Sequence, residues 1–162
     1  MIHHRSSEGV VDDITIRRAR ADDLPAIVAM LADDALGAMR EDASIPLDPR
    51  YLQAFDAIDN DPNQVLAVVD RGGQVTGCMQ LTFLPGLSRK GAWRGQIEGV
   101  RVAAAERGAG TGQVMMEWAI ERCRERGCEI LQLTTDKSRT DAHRFYERLG
   151  FRATHEGMKL TL

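Results

Sequence analysis

The chain has 162 residues, 43% of them apolar and 28% charged, with a formal net charge of −3. That is one domain's worth of sequence, long enough to bury a core without disulfide or metal staples. No apolar run has the length of a membrane span, and the opening "MIHHRSSEGVVDD" lacks the apolar stretch of a secretion signal, so a soluble, cytoplasmic protein is expected.

The charge is unevenly placed. Residues 1–60 hold 12 acidic and 6 basic side chains, whereas residues 86–162 hold 10 and 14. Four excess positive charges, with two Trp, two Tyr and four Phe in the whole chain, are too few for a nucleic-acid surface but suit one phosphorylated ligand. Ordinary solvated charge would give the same count. Cys78, Cys123 and Cys128 show no CxxC spacing and read as packed free thiols. His3, His4, His143 and His155 are too scattered for a metal site.

Residues 1–13 read as a flexible N-terminal segment and 14–162 as a single domain. "ITIRRA", from Ile14, opens with strand-like alternation, and "ADDLPAIVAMLADDA" places Leu24, Ile27, Val28 and Leu31 at helical spacing. Asp22 and Asp23 precede Pro25 in the first turn, where the helix dipole favours acid. "EDASIPLDPRYLQAFDAIDNDPN" reads as loop, helix, loop. "QVLAVVD" and "QVTGCMQLTFL", joined through Gly72 and Gly73, read as a hairpin, and "AWRGQIEGVRVA" as a further antiparallel strand.

A long helix then runs to Gly127, followed by a short buried strand, "EILQLTT", which makes a parallel crossover. Ser138 with Asp141 fits a capping box for a last helix, "RTDAHRFYERL", whose inward stripe is Ala142, Phe145 and Leu149 and whose stop is Gly150. "FRATH" and "MKLTL" read as closing strands. The sum is an α/β, α+β mixed sheet: mostly antiparallel, six to seven strands, one parallel pair, and about four flanking helices.

The strand "IEGVRV" leads into Arg107, Gly108, Ala109, Gly110, Thr111, Gly112 and Gln113, and these open the long helix. Unpaired N–H groups at a helix start bind phosphate oxygens, and glycine lets the ligand approach. The P-loop pattern fails because Gln113 and Val114 follow Gly112. The dinucleotide fingerprint fails because Gln113 or Met115 stands where its last glycine belongs. Glycines needed only for close helix packing remain an alternative.

The R-G-x-G-x-G run, Arg107–Gly112, resembles the [QR]-x-x-G-x-[GA] loop of the GNAT superfamily of N-acetyltransferases. "IRRARADDLPAIVAML" resembles that family's first strand and helix, and "RTDAHRFYERLGF" its A-x-x-F-Y-x-x-L-G-F last helix. The resemblance covers Ile14 to the C-terminus. It implies acetyl-CoA as co-substrate, a parallel strand pair that splays, and a pantetheine arm in the gap paired to the backbones of Val100 and Val102. The pyrophosphate would lie on Arg107–Gln113, with the N–H groups of Gly108, Gly110, Gly112 and Gln113 as donors.

It further implies transfer to a primary amine of a small molecule or peptide by direct attack in a ternary complex, and a possible homodimer built through the C-terminal strands. Tyr146 matches the family's tyrosine and would protonate the departing thiolate, although the same ring could simply fill the edge of the stripe. Glu98, on the side of Val100 and Val102 if the strand is regular, could accept the amine's proton or serve only in an ion pair. Arg139 departs from the family's asparagine. The acidic Asp33, Asp34, Glu41 and Asp42 and the basic Arg89, Lys90 and Arg94 leave the sign of the acceptor open. A domain that senses an acyl-CoA without transferring the group is the alternative class.

Overall fold

The computed structural model describes residues 14–162. Five strands form one sheet in the order β1 (Ile14–Arg18), β2 (Gln64–Arg71), β3 (Gln74–Leu84), β4 (Trp93–Val102) and β5 (Cys128–Leu133). All neighbours are antiparallel except β4 and β5, which are parallel. The helices are α1 (Leu24–Ala32), α2 (Pro49–Asp59), the single turn α3 (Ser88–Gly91), α4 (Thr111–Glu125) and α5 (Thr140–Arg148).

Period-two alternation along the strands divides the core in two. Ala67, Val69, Met79, Leu81, Phe83 and Ile97 turn to Met115, Met116, Ala119 and Cys123 of α4, with Phe145, Tyr146 and Leu149 of α5 packed alongside. Val68 and Cys78, on the other face, meet Leu24, Ile27 and Met30 of α1 and Phe55 of α2. Burial pushes the Cys78 and Cys123 thiols up to about 12, so both are neutral packing groups, as their spacing suggested.

Several local expectations hold. The β2–β3 turn sits at Gly72–Gly73, and Gly127 and Gly150 adopt positive φ after α4 and α5. Others fail for identifiable reasons. Ser138 does not cap α5, because its hydroxyl and N–H both bond Asp136 Oδ1 (2.6 and 2.9 Å) and Arg139 takes the N-cap place without a side-chain bond. The sheet has five strands, not six to seven. Residues 151–162 form no strand, and Met158, Leu160 and Leu162 lie exposed. Alternation is a property of a segment, whereas a strand also needs a partner edge.

Asp23 is more than a dipole partner. It accepts two bonds from Arg17 (2.7 and 3.0 Å) and one from the Arg20 N–H (2.7 Å), while Arg17 Nε reaches Asp70 (3.0 Å), tying β1, β2 and the start of α1 together. The Arg17 bond holds the Asp23 carboxyl below the usual carboxylate range. A depressed pKa contributes stability above the unfolded value that is lost as pH falls through the folded one. Asp23→Asn is therefore expected to cost about 1–3 kcal/mol at neutral pH. The deficit should shrink below about pH 4, where the wild type loses the same interaction, as read by urea unfolding at several pH values.

Candidate active site

The parallel pairing of β4 with β5 runs from Trp93↔Cys128 to Ile97↔Leu133 and ends there; Glu98–Val102 continue β4 without a β5 partner. Gly99 has φ +61°, and the register against β3 shifts so that Gln80 faces Glu98 while Cys78 faces Arg101. The bulge lies just past the last β4–β5 pair, and from there one backbone edge of β4 has no strand against it among the described residues. The Cys78 thiol donates to the Gly99 carbonyl at 3.7 Å, anchoring the bulge toward the α1 face.

The bulge also corrects the expected direction of Glu98. Ile97, Val100 and Val102 all pack on the α4 side, so the alternation is broken once between Ile97 and Val100. Glu98 lies on the opposite face from Val100 and Val102, the face shared with Cys78 and α1, and its side chain is exposed. There it makes no hydrogen bond or ion pair among the described residues, which removes the salt-bridge explanation for it.

At the end of β4 the chain turns through Gly108 and Gly110, at φ +84° and +83°, and enters α4 with Gly110 as N-cap. A Cβ on either glycine would meet no atom within 4 Å, so the space over the loop is open and the conformation alone demands glycine. The Val114 N–H is bonded back to the Gly110 carbonyl (3.2 Å), leaving the earlier N–H groups of Thr111, Gly112 and Gln113 without an intrahelical acceptor. The Ala109 N–H is taken by the Glu106 carbonyl at 3.3 Å. Thr111 is buried, and its hydroxyl has no hydrogen-bond partner among the described residues.

A buried orphan hydroxyl beside free N–H groups at a positive helix end fits a pyrophosphate. Gly112 has a different reason to be glycine: a Cβ there would stand 3.3 Å from Phe145 Cζ, so it sets the contact between α4 and α5. The packing explanation thus holds for one glycine of the three.

Tyr146, on α5, packs edge-on against Phe145 (5.2 Å) and Phe151 (5.8 Å). Its hydroxyl has no hydrogen-bond partner among the described residues. Burial raises its pKa, opposed in part by the charges of Arg101 and Arg139, so the phenol is protonated at neutral pH and lies in the field of two guanidinium groups.

Those two arginines converge on Asp34, just after α1. Arg139 Nη1 is 2.9 Å and Arg101 Nη2 is 3.7 Å from Asp34 Oδ2, while Asp34 Oδ1 accepts the Gly37 N–H at 2.6 Å. Arg101 Nη1 also donates to the Val100 carbonyl at 2.8 Å. Next door, Arg107 of the glycine loop reaches Asp33 at 3.2 Å. The sequence offers Asp33 and Asp34 as acid that would favour a cationic amine or as ordinary helix surface, and it does not single out Arg101. Its one sequence signal is a charged residue between two inward valines in the strand before the glycine loop.

The family model for the acetyltransferase (GNAT) family matches residues 28–151. The chain is 30% identical to an aminoalkylphosphonate N-acetyltransferase of Salmonella typhimurium over 155 residues, 96% of each protein. It is 36% identical to a glucosamine 6-phosphate N-acetyltransferase of Trypanosoma brucei brucei over 91 residues, 56% of this chain and 59% of that one. Among solved structures, one described as a transcriptional regulator from Bacillus halodurans C-125 is 51% identical, covers 92% of this chain and 99% of its own, and superposes with a TM-score of 0.89. The family match spans the splayed strand pair, the glycine loop and the last helix, and the chain belongs to the acetyltransferase (GNAT) family of acyl-CoA-dependent N-acetyltransferases.

Proposed function

We propose that the protein transfers the acetyl group of acetyl-CoA, by direct attack in a ternary complex, to the primary amine of a small molecule that carries a phosphonate or phosphate group. The observation that carries the first half is the left-handed Gly108–Gly110 turn, which opens α4 beside the unpaired edge of β4. The acceptor class follows the names of the two curated relatives, both of which act on amines bearing such a group.

Bound acetyl-CoA supplies an activated carbonyl and a thiolate leaving group. The N–H groups of Gly108, Gly110, Thr111, Gly112 and Gln113, with the Thr111 hydroxyl and Arg107, hold the pyrophosphate. The backbones of Val100 and Val102 align the pantetheine arm along the open edge, much as a strand would. Glu98 takes a proton from the incoming ammonium, through water, so that a neutral amine attacks. As the carbon–nitrogen bond forms and the carbon–sulfur bond breaks, the Tyr146 hydroxyl donates its proton to the departing sulfur, and the surplus proton on the acetylated nitrogen passes through water to the Tyr146 phenolate. The protein works in the cytoplasm, and the exposed Met158, Leu160 and Leu162 support self-association through the C-terminal segment.

Release of free CoA thiol, followed against aminoalkylphosphonates, amino sugar phosphates, polyamines and peptide N-termini, tests the assignment; transfer only to amines without an anionic group would overturn the acceptor class. Glu98→Gln is expected to lower turnover by about tenfold to a hundredfold at pH 6 and less at pH 9, where the amine is increasingly neutral. A pH–rate profile identical to wild type would remove Glu98 from the mechanism. The name of the 51% identical Bacillus halodurans structure favours a second reading, an acyl-CoA sensor. Tight acetyl-CoA binding without transfer to any of these amines would support it.

A further inference from the structure

We infer that Arg101 and Arg139 form the seat for the acceptor's anionic group, and that Asp34 is the side chain that sets their spacing. The inference rests on the acetyl-transfer reading for the acceptor being an amine; the anion's place is argued from the side chains themselves.

Two guanidinium groups meet one carboxylate here. Asp34 is fixed from behind by the Gly37 N–H, and its other oxygen touches both arginines, at 2.9 and 3.7 Å. The neighbouring acid, Asp33, touches neither guanidinium; its contact is with Arg107, and its carboxylate is more than half exposed to solvent. Arg139 also acts on Asp136, which Arg40 faces as well, so Arg40, Arg101 and Arg139 set three positive charges against Asp34 and Asp136 and leave one positive charge over. Arg101, Arg139 and Asp34 keep only 22%, 29% and 28% of their side-chain surface, so that charge acts through a partly desolvated medium in which it is weakly screened.

The donors are also incompletely used. Arg101 Nε is buried and has no hydrogen-bond partner among the described residues, an arrangement that costs free energy unless a ligand completes it. A planar guanidinium is well shaped to meet two oxygens of a phosphonate or phosphate at once.

The location suits an acceptor. Arg101 Nη1 lies on the Val100 carbonyl, at the mouth of the splayed strand pair, and both guanidinium groups act on the Tyr146 phenol. Glu98 and Arg101 share one face of β4 and stand opposite Gln80 and Cys78, two residues apart on β3. Two strand residues span about 7 Å. An amine at Glu98 and an anion at Arg101 thus call for a short carbon chain between them.

Two other roles must be separated from this one. Arg139 could be a purely structural tie between α5 and the end of α1, or it could serve the co-substrate from the place where relatives carry asparagine. The deciding measurement is kcat/KM for 2-aminoethylphosphonate and for propylamine, its uncharged counterpart, in wild type, Arg139→Gln, Arg139→Lys and Arg101→Gln, with thermal unfolding as the folding control. The wild type should prefer the phosphonate. Either Gln variant should reduce that preference at least about tenfold, through the acceptor KM, and Arg139→Lys should recover part of it.

An unchanged preference in both Gln variants, or a loss confined to the KM for acetyl-CoA, would overturn the inference while leaving acetyl transfer intact. If no amine is acetylated, calorimetry with methylphosphonate in the presence of CoA still decides: saturable binding weakened in Arg101→Gln and Arg139→Gln supports the seat, and its absence in wild type overturns it. Failure of the transfer reading and failure of the anion seat therefore give different results.

Discussion

Tyr146→Phe is expected to lower kcat by about a hundredfold or more, with the KM for acetyl-CoA changed by less than about threefold. Phenylalanine keeps the ring and with it the edge contacts to Phe145 and Phe151. Only the hydroxyl is removed, and that hydroxyl has no partner whose loss would disturb the fold. A residue that merely filled the edge of the α5 stripe would tolerate this change with turnover intact. Steady-state kinetics of CoA release thus separate the two roles. Because burial raises the phenol's pKa, the wild-type rate should hold through neutral pH and fall only where the phenol ionises. In Tyr146→Phe that alkaline fall should disappear.

The second large effect is expected at Gly110. Alanine at φ +83° carries a backbone cost of about 1–2 kcal/mol, and the loop can relieve it only by leaving the shape that aims its N–H groups outward. Gly110→Ala should therefore raise the Kd for CoA about tenfold or more, by calorimetry, with a smaller change in thermal stability. Gly112→Ala provides the contrast. Its conformation is helical, and its new methyl would press on Phe145 at 3.3 Å. The expected effect there is lowered stability and a displaced α5, so that Tm falls more than CoA affinity does. Equal behaviour of the two variants would contradict the division of labour between a ligand-facing glycine and a packing glycine.

Arg107 and Asp33 bear on the same loop. The ion pair between them, at 3.2 Å, has both side chains more than half exposed, so it is weak, and under the proposed function Arg107 would exchange it for a pyrophosphate oxygen.

How far each feature was legible depends on how local its cause is. The α1 and α5 stripes, the long helix α4, the Gly72–Gly73 hairpin and the glycine stops at Gly127 and Gly150 are set by residues a few positions apart, and the structure reproduces them. The sixth and seventh strands were an overreading, because "FRATH" and "MKLTL" have the composition of strands but pair with no strand among the described residues. The Ser138 cap was lost to a nearer competitor, Asp136. Glu98 was assigned the wrong face because a single left-handed residue, Gly99, shifts the alternation of everything before it relative to everything after.

By itself, the sequence determined the fold class, the order of elements and the presence of a glycine-rich helix entrance, since these follow from periodicity, turn chemistry and one short motif. Only the tertiary structure decided which groups face one another. Asp34, Arg101 and Arg139 lie on three different elements, and nothing in their spacing along the chain announces that they meet at one carboxylate oxygen. They meet beyond the point where the β4–β5 pairing has ended, where the last residues of β4, the end of α1 and the start of α5 come together in space. Ionic contacts of this kind depend on distances through space, which a local pattern of residues does not encode.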